Sequence, residues 1–249
     1  MKKILIKIFN PLALKLGYVK RNNPKRILNK DSLIDNCCNN LKQMGFEAKH
    51  IIDVGANKGG WTREMLNHFP NAYYSLFEPQ KKLHDYMKDL LQNSNVECYE
   101  LGVSNKEGDL KFTIVDRDDS CSFRYTEKEA NEKGFNQITI PVITLNEFFK
   151  DSNKPFPDLI KIDAEGLDLE VLEGATKFLG KTEVIMVEAA IVCKAFNNDI
   201  QTMINKMDDY GYTLFDITDL NRPFSLKVLW LVELVFIKKG SRLDNYKYL

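Results

Sequence analysis

The sequence has few residues of the types that build metal sites, disulfide frameworks and membrane spans. Only 3 of its 249 residues are histidine and 5 are cysteine, with no Cys-x-x-Cys spacing and no cluster of the two types. A zinc site is therefore not expected, and the odd cysteine count predicts free thiols in a reducing compartment. No apolar run approaches the roughly 20 residues that a bilayer-spanning helix needs.

Net charge is also missing, because 35 Lys and Arg residues balance 35 Asp and Glu residues. This balance argues against a protein whose whole surface binds nucleic acid. The charge is uneven, however, since residues 1–30 contain nine cationic side chains and no acid: Lys2, Lys3, Lys7, Lys15, Lys20, Arg21, Lys25, Arg26 and Lys30. No small-residue cleavage site follows, so a signal peptide is not predicted. Two interpretations stay open, a terminal helix packed on the domain or a basic amphipathic segment on an anionic membrane surface.

Strand-like and helix-like segments alternate through most of the chain. Strands are predicted at 50–54, 73–77, 96–99, 158–163, 183–188, 212–216 and 229–237, and helices at 31–45, 60–68, 80–92, 167–179 and 198–209. This alternation predicts an α/β fold with a mostly parallel sheet and helices on both faces. Between 103 and 145, two strands joined by a long polar loop are expected, and such a loop is either a binding element or a surface excursion. We divide the chain into a basic segment with a leading helix (1–47), a main domain (48–240) and a tail (241–249).

The most informative stretch is HIIDVGANKGGWT, residues 50–62, which reads as a strand, a tight loop and a helix. Loops of this type commonly bind nucleotide-like ligands. In the dinucleotide pattern G-x-G-x-x-G, the middle glycine lets the backbone approach a pyrophosphate, and here Asn57 takes that place between Gly55 and Gly60. A Walker phosphate loop is excluded because the GK[ST] sequence is absent.

Two acids next to this loop narrow the choice of ligand. Asp53 ends the first strand, and a carboxylate ~5 Å from a phosphate charge costs roughly 3 kcal/mol at an effective dielectric constant of ~20. S-adenosylmethionine has no phosphate and carries an ammonium and a sulfonium, so the same acid favours it over NAD. Glu78 ends the next strand, where an acid suits the ribose hydroxyls of either cofactor.

Four stretches in fixed order carry a resemblance to a known family: DVGANKGGWT, FEP at 77–79, GVSNKEGDLKF at 102–112 and LIKIDAEGLDLEVLEGA at 159–175. From residue 48 to residue 238 the chain resembles the FkbM-type family of class I S-adenosylmethionine-dependent methyltransferases. The resemblance implies a Rossmann-like fold, whose seven-stranded, mostly parallel sheet has one antiparallel strand. It also implies methylation of a hydroxyl, and we expect a sugar of a glycan or glycolipid precursor as the acceptor. Members also act on polyketides and other natural products.

The expected cofactor contacts follow the carboxyl ends of the first three strands, where open α/β sheets bind ligands. They are Asp53, Gly55, Asn57, Gly59, Glu78, Val103 and Ser104. In the long polar loop, the expected substrate contacts are Ser120, Ser122 and Arg124.

A hydroxyl acceptor needs a group that takes its proton, and the expected catalytic residues are Asp163, Glu165 and Glu188. Paired acids raise each other's pKa, which makes one of them a usable base. A divalent metal held by Asp163 and Glu165 is an alternative, although no ligand pattern indicates one. Capping of the helix that begins near Leu167 is the structural alternative for both acids. Lys161 is expected to point to the opposite side, in a structural role.

The sequence thus predicts a cytoplasmic O-methyltransferase with a small-molecule or glycan acceptor and no nucleic-acid partner. Contact of the basic N-terminus with the inner membrane surface is part of this hypothesis. The rival classes are a nicotinamide-dependent oxidoreductase, a nucleic-acid methyltransferase using residues 1–30 as a basic arm, and a binding module that keeps the cofactor fold without catalysis.

Overall fold

The computed structural model describes residues 33–115, 121–150, 152–192 and 197–247. The basic segment, Ser120 and Cys193 lie outside these ranges, so the hypotheses on them stay predictions. None of the four cysteines within the ranges forms a disulfide. In this part of the chain, no helix combines the length and the hydropathy needed to cross a membrane.

The main sheet has seven strands in the order β3-β2-β1-β7-β8-β10-β9. β10 runs antiparallel to both of its neighbours, and the other pairs are parallel, which confirms the predicted sheet. The strands are β1 His50–Val54, β2 Tyr73–Phe77, β3 Val96–Tyr99, β4 Gly102–Val103, β5 Gly108–Ile114, β6 Asn136–Ile143, β7 Leu159–Ile162, β8 Val184–Ala190, β9 Tyr212–Asn221 and β10 Leu231–Lys238.

Helices cover both faces of this sheet because the central strands are apolar on both sides. In β1, Ile51 belongs to one hydrophobic cluster and Ile52 to the cluster on the other face. Successive side chains of a strand point to opposite faces, so a continuous apolar run needs cover on both. The helices are α1 Leu33–Gln43, α2 Gly60–His68, α3 Lys81–His84, α4 Glu127–Glu132, α5 Leu145–Phe148, α6 Asp168–Glu173 and α7 Ile200–Asp209.

Three regions differ clearly from the sequence prediction. The expected helix 167–179 is only α6, Asp168–Glu173, followed by turns. The expected helix 80–92 is instead α3 followed by two 3₁₀ turns, Asp85–Met87 and Leu90–Gln92. The expected pair of strands between 103 and 145 is a three-stranded sheet, β4-β6-β5, because Gly102–Val103 pairs in parallel with the end of β6. A pairing between residues this far apart in the chain leaves no local pattern that sequence reasoning could use.

Candidate active site

A cavity of about 340 Å³ opens at the carboxyl edge, the edge of the main sheet at which its parallel strands end. Its lining comes from the loop after β1, the end of β2, the segment 101–103, the second sheet and the loop after β7. Open α/β sheets bind ligands at this edge, and the volume is in the usual range for small-molecule sites.

The loop after β1 packs directly on the end of β7. Gly55 has φ +78°, and a Cβ placed there would lie 1.8 Å from the carbonyl oxygen of Asp163. The amides of Gly55 and Ala56 both donate to the carbonyl of Phe77, at 2.9 and 3.1 Å. Only glycine fits this contact, so the first glycine of the motif allows the loop to pack against the end of β7 and to line the cavity.

Glu78 lies in the cavity wall with both carboxylate oxygens engaged by backbone amides. Asn57, at φ +50°, donates its amide to Oε2 at 2.9 Å, and the amide of Gln80 donates to Oε1 at 2.7 Å. Burial raises the pKa of Glu78, and the two amide bonds oppose that shift. Each oxygen keeps a further acceptor position, which matches a diol such as that of a ribose.

Asp53 lies beneath the loop and is not part of the cavity lining. Its Oδ2 accepts a hydrogen bond from Thr62 Oγ1 at 2.6 Å, and its Oδ1 is 3.6 Å from Lys161 Nζ. Burial raises the pKa of this carboxyl, and the charge of Lys161 opposes the shift. The structure therefore corrects the expected direct cofactor contact, because a side chain two residues before the bend points into the core.

Gly59 and Ser104, two of the expected cofactor contacts, are also absent from the cavity lining. A Cβ on Gly59 would lie 2.4 Å from Leu90 Cδ1, so this glycine serves helix packing, and Gly60 lines the cavity instead. The carbonyl oxygen of Ser104 would lie 2.1 Å from a Cβ on Gly174. Val103, its neighbour, does line the cavity.

Strand β5 and the segment that follows it supply an apolar wall through Phe112, Cys121 and Phe123. The rings of Phe112 and Phe123 pack at a centroid distance of 4.6 Å. The expected substrate contacts from the sequence, Ser122 and Arg124, are the residues that alternate with Cys121 and Phe123 in this segment.

Neither of those two residues lines the cavity. Ser122 is buried and exchanges backbone hydrogen bonds with Thr113, whereas the Arg124 guanidinium lies 4.3 Å from the ring centroid of Tyr125. Side chains alternate in an extended segment, so a polar pattern selected the wrong face. The third expected substrate contact, Ser120, lies outside the described residues.

The acids after β7 lie on the opposite side of the β1 loop from Glu78, because β2 and β7 flank β1 in the sheet. Asp163 and Glu165 both line it, together with the buried Lys161. Lys161 Nζ lies 3.2 Å from Asp163 Oδ2, so the expectation that Lys161 points to the opposite side is wrong. Residues two apart in a strand share a face, and this periodicity could have found the contact. Burial opposes the charge of Lys161, yet the carboxylates of Asp163 and Asp53 raise its pKa above the ordinary value.

Glu188, near the end of β8, lies next to these acids without lining the cavity. Its side chain is half-buried, and burial raises its pKa well above the ordinary value. The negative charges of Asp163, Asp168 and Glu165 raise the pKa further. A carboxylate in this environment binds a proton more strongly than a solvated one, which is the property of a general base.

Neither Asp163 nor Glu165 caps the helix that follows. α6 begins at Asp168, and its N-cap Leu167 provides no side-chain hydrogen bond. Glu165 has φ +51°, so the chain turns at this residue and does not continue as an extended strand. A positive φ at a non-glycine residue is uncommon and occurs often at functional sites.

Asp168 and Asn198 support this loop, and the sequence reasoning did not identify them. Asp168 Oδ1 accepts from the amide of Ala164 and Oδ2 from Asn198 Nδ2, both at 2.9 Å. Asn198 Nδ2 also donates to the carbonyl of Glu188 at 3.0 Å. Burial raises the pKa of Asp168 to about 7. Within the described ranges, no group of three or more His, Cys, Asp or Glu side chains could hold a metal ion.

The strand order and the site at the carboxyl edge define a class I methyltransferase fold. The solved methyltransferase FkbM from Methylobacillus flagellatus shares this fold, with a TM-score of 0.51 and 14% identity over 75% of this chain and 43% of that one. Residues 53–214 match the methyltransferase FkbM domain family, and the chain belongs to that family.

The chain is also similar to two curated methyltransferases, one named for a hexuronic acid and the other for methylation at a 2-O position. The chain is 31% identical over 143 residues to hexuronic acid methyltransferase AglP of Haloferax volcanii, covering 55% of this chain and 54% of the relative. It is 23% identical over 150 residues to 2-O-methyltransferase NoeI of Sinorhizobium fredii, covering 55% and 62%. The chain therefore spans little more than half the length of these relatives.

Proposed function

We propose that the chain is an S-adenosylmethionine-dependent O-methyltransferase that acts on a sugar hydroxyl of a glycan or glycolipid precursor. The observation that carries the proposal is a single cavity with the buried carboxylate of Glu78 in one wall and the acids Asp163 and Glu165 at its other end. Membership in the FkbM family supports methyl transfer. The names of the two curated relatives support a sugar acceptor and an oxygen nucleophile.

The residues of the cavity fit this cofactor. Gly55 lets the loop after β1 pack against the end of β7 and line the cavity, and Glu78 presents two acceptor oxygens. Gln80 is buried in the lining, and its Oε1 finds no hydrogen-bond partner among the described residues, which leaves it an acceptor for a ligand donor. Gly55, Asn57, Glu78 and Val103 would hold the cofactor, which supplies an electrophilic methyl group on a sulfonium when bound.

The charges of the lining also favour a cationic ligand over a pyrophosphate. Lys161 is engaged by Asp53 and Asp163, and the Lys58 amine lies 4.9 Å from the ring centroid of Tyr86. Asn57 lines the cavity at the place of the second glycine of the dinucleotide pattern, where a side chain obstructs the close approach of the backbone to a pyrophosphate. A nicotinamide dinucleotide is therefore disfavoured.

The acid end would orient the acceptor hydroxyl and take its proton. Asp163 is held by the Lys161 ammonium, which orients the carboxylate in the cavity lining. Glu188 has no such cation in hydrogen-bond reach within the described residues, and its raised pKa makes it the stronger base. Two carboxylates in different environments commonly divide the roles of orientation and proton transfer. Asp163 and Glu165 line the cavity and Glu188 does not, so we propose that the acceptor proton reaches Glu188 through one of the two lining acids.

Calorimetry with S-adenosylmethionine, S-adenosylhomocysteine and NAD tests the cofactor. We expect the first two to bind and NAD not to bind. Glu78→Gln should weaken binding about tenfold, because an amide cannot accept from two backbone amides and a diol as a carboxylate does. The exposed Glu107→Gln is the matched control and should bind as the wild type does. Binding of NAD alone, or of none of the three, would contradict the proposal.

Transfer of an isotope-labelled methyl group to sugar acceptors tests the reaction. Free and nucleotide-linked hexuronic acids are the first acceptors to use, because a relative is named for this substrate class. Asp163→Asn should lose turnover and keep cofactor binding. A chain that binds the cofactor but labels none of these acceptors would contradict the sugar assignment and leave cofactor binding intact.

A further inference from the structure

The connection between β9 and β10 projects from the main sheet as an apolar and basic turn. We call residues 222–230, RPFSLKVLW, the hairpin tip. From Leu220 to Val232 the sequence contains two cations, Arg222 and Lys227, and no acid. Most of the remaining side chains in this stretch are apolar, and Trp230 is one of only two tryptophans in the chain.

The hairpin tip is held in shape by its own hydrogen bonds. The amide of Lys227 donates to the carbonyl of Phe224 at 2.9 Å, and Arg222 Nη1 donates to the carbonyl of Lys227 at 2.6 Å. Lys227 has φ +55°, a conformation that costs energy in a non-glycine residue. The amide of Trp230 donates to the carbonyl of Asn221 at 2.8 Å and closes the hairpin.

This ordered turn presents apolar side chains to solvent. Leu226 is 86% exposed and Phe224 46% exposed, and the Phe224 ring packs on Trp230 at a centroid distance of 4.9 Å. Val228 is also exposed, as is Val192, whose neighbour Ile191 donates its amide to the Trp230 carbonyl. Exposed apolar side chains gathered at one place mark an interaction surface.

Strand register places the hairpin tip at the edge that carries the site. Leu231 pairs with Ala190, and Glu233 pairs with Glu188. The residues before Leu231 therefore extend beyond the carboxyl end of β8, two residues past the acid that we assign to proton transfer. At roughly 3.3 Å per residue, Leu231 lies within about 7 Å of Glu233 along the strand.

We propose that the hairpin tip inserts into the interfacial region of an anionic membrane. Cations without acids match anionic headgroups, and exposed Leu, Phe and Val beside Trp match the boundary between headgroups and acyl chains. A turn of nine residues is too small for a stable protein interface, which needs about 800 Å² from each partner. Membrane contact does not depend on the proposed function, although together they place the acceptor site next to lipid-linked sugars.

Co-sedimentation of the full chain with vesicles tests this surface. The vesicles contain phosphatidylcholine alone or phosphatidylcholine with phosphatidylglycerol, and neither cofactor nor acceptor is present. We expect retention on the mixed vesicles, and loss of about tenfold or more in partition for the double variant Phe224→Ser, Leu226→Ser.

Phe156→Ser is the matched control, because Phe156 is 47% exposed and also packs on a second ring, that of Phe178. It precedes β7 at the opposite edge of the sheet, so this variant should partition as the wild type does. Leu226→Glu is a second variant that leaves packing intact, since this side chain is almost fully exposed, and it should also reduce partition on the mixed vesicles.

Retention that is equal in wild type and tip variants would overturn the proposal. The proposal would also be overturned if neutralising Lys2, Lys3 and Lys7 abolished retention on the mixed vesicles while the tip variants were still retained. Concentration-dependent self-association that the tip variants remove, with no vesicle binding by the wild type, would assign the surface to a second copy of this chain and would also overturn the proposal. Loss of retention in both tip variants, with unchanged thermal unfolding of Leu226→Glu and normal behaviour of Phe156→Ser, is the supporting result.

Discussion

The loop end of the cavity, around Gly55 and Glu78, and the acid end, around Asp163 and Glu188, satisfy their polar groups in different ways. At the loop end, backbone amides donate to both oxygens of Glu78. At the acid end, several carboxylates lie close together, and Lys161 is the cation that contacts Asp163. The loop end is thus built from backbone geometry and the acid end from side-chain charge.

The difference separates binding from chemistry. Backbone donors keep their positions whatever the pH, which suits the recognition of an unchanging cofactor. Crowded carboxylates shift one another's pKa, which suits a step in which a proton moves. Lys161 joins the two ends, because its ammonium contacts both Asp53 below the loop and Asp163 in the cavity lining.

Removing the Lys161 ammonium should have the largest effect on the stability of the fold. Lys161→Met leaves the buried carboxylate of Asp53 and that of Asp163 without a cation, which we expect to cost about 4 kcal/mol in the free energy of unfolding. Denaturant unfolding measures the change. Lys150→Met, which breaks an exposed ion pair with Glu147, is the control and should cost less than about 1 kcal/mol. Equal free energies of unfolding in the two variants would show that the buried ion pairs of Lys161 stabilise the fold no more than an exposed ion pair does.

Gly55→Ala changes the contact between the loop end and the backbone of Asp163 without removing any charged side chain. The new Cβ would collide with the Asp163 carbonyl, and φ is +78°, so we expect a loss of about 3 kcal/mol in stability together with loss of cofactor binding. Gly134→Ala is matched in φ, at +69°, and meets no atom within 4 Å. The difference in unfolding free energy between the two variants measures the effect of the collision with the Asp163 carbonyl. Similar denaturation midpoints would show that Gly55 does not make this close contact.

The acid end can be changed alone through Glu188→Gln. Turnover should fall about a hundredfold because the amide cannot take the acceptor proton, while calorimetry should show unchanged cofactor affinity. In the wild type, turnover should decrease as the pH falls through the raised pKa of Glu188, and the variant should lose this dependence. Glu183→Gln, a half-buried acid at the other end of the same sheet region, is the control. A variant with normal turnover would remove Glu188 from the chemistry.

The smallest expected effect is the contribution of Asp168, which supports the acid end, to the pH dependence of stability. Its pKa rises from 3.8 to about 7 on folding, so the folded state binds the proton more strongly. The resulting stabilisation is fully present below the unfolded pKa and is lost as the pH rises through about 7, by at most about 1.4 kcal/mol for each pH unit. Asp168→Asn should flatten this slope in urea unfolding at several pH values. The exposed Asp209→Asn should keep it, and an unchanged slope in Asp168→Asn would place the titration elsewhere.

Sequence reasoning succeeded where the signal lies within a few residues. The limits of β1, β3 and α2 agree with the predicted 50–54, 96–99 and 60–68 because an apolar run or a helical period ends at each. The direction of Ser122 was wrong, since polarity was used in place of strand alternation. Asp168 and Asn198 were missed because their hydrogen bond joins residues that no local pattern connects.

By itself, the sequence determined the α/β class, the strand–loop–helix at 50–62, the family and the acids that follow the central strands. Tertiary structure alone decided which of those groups meet. It placed Asp53 under the loop with Lys161, turned Phe112 and Phe123 into the cavity, and gathered Glu188 with Asp163. The physical reason is that periodicity and turn chemistry act between near neighbours, whereas strand pairing, burial and pKa depend on residues brought together only by folding.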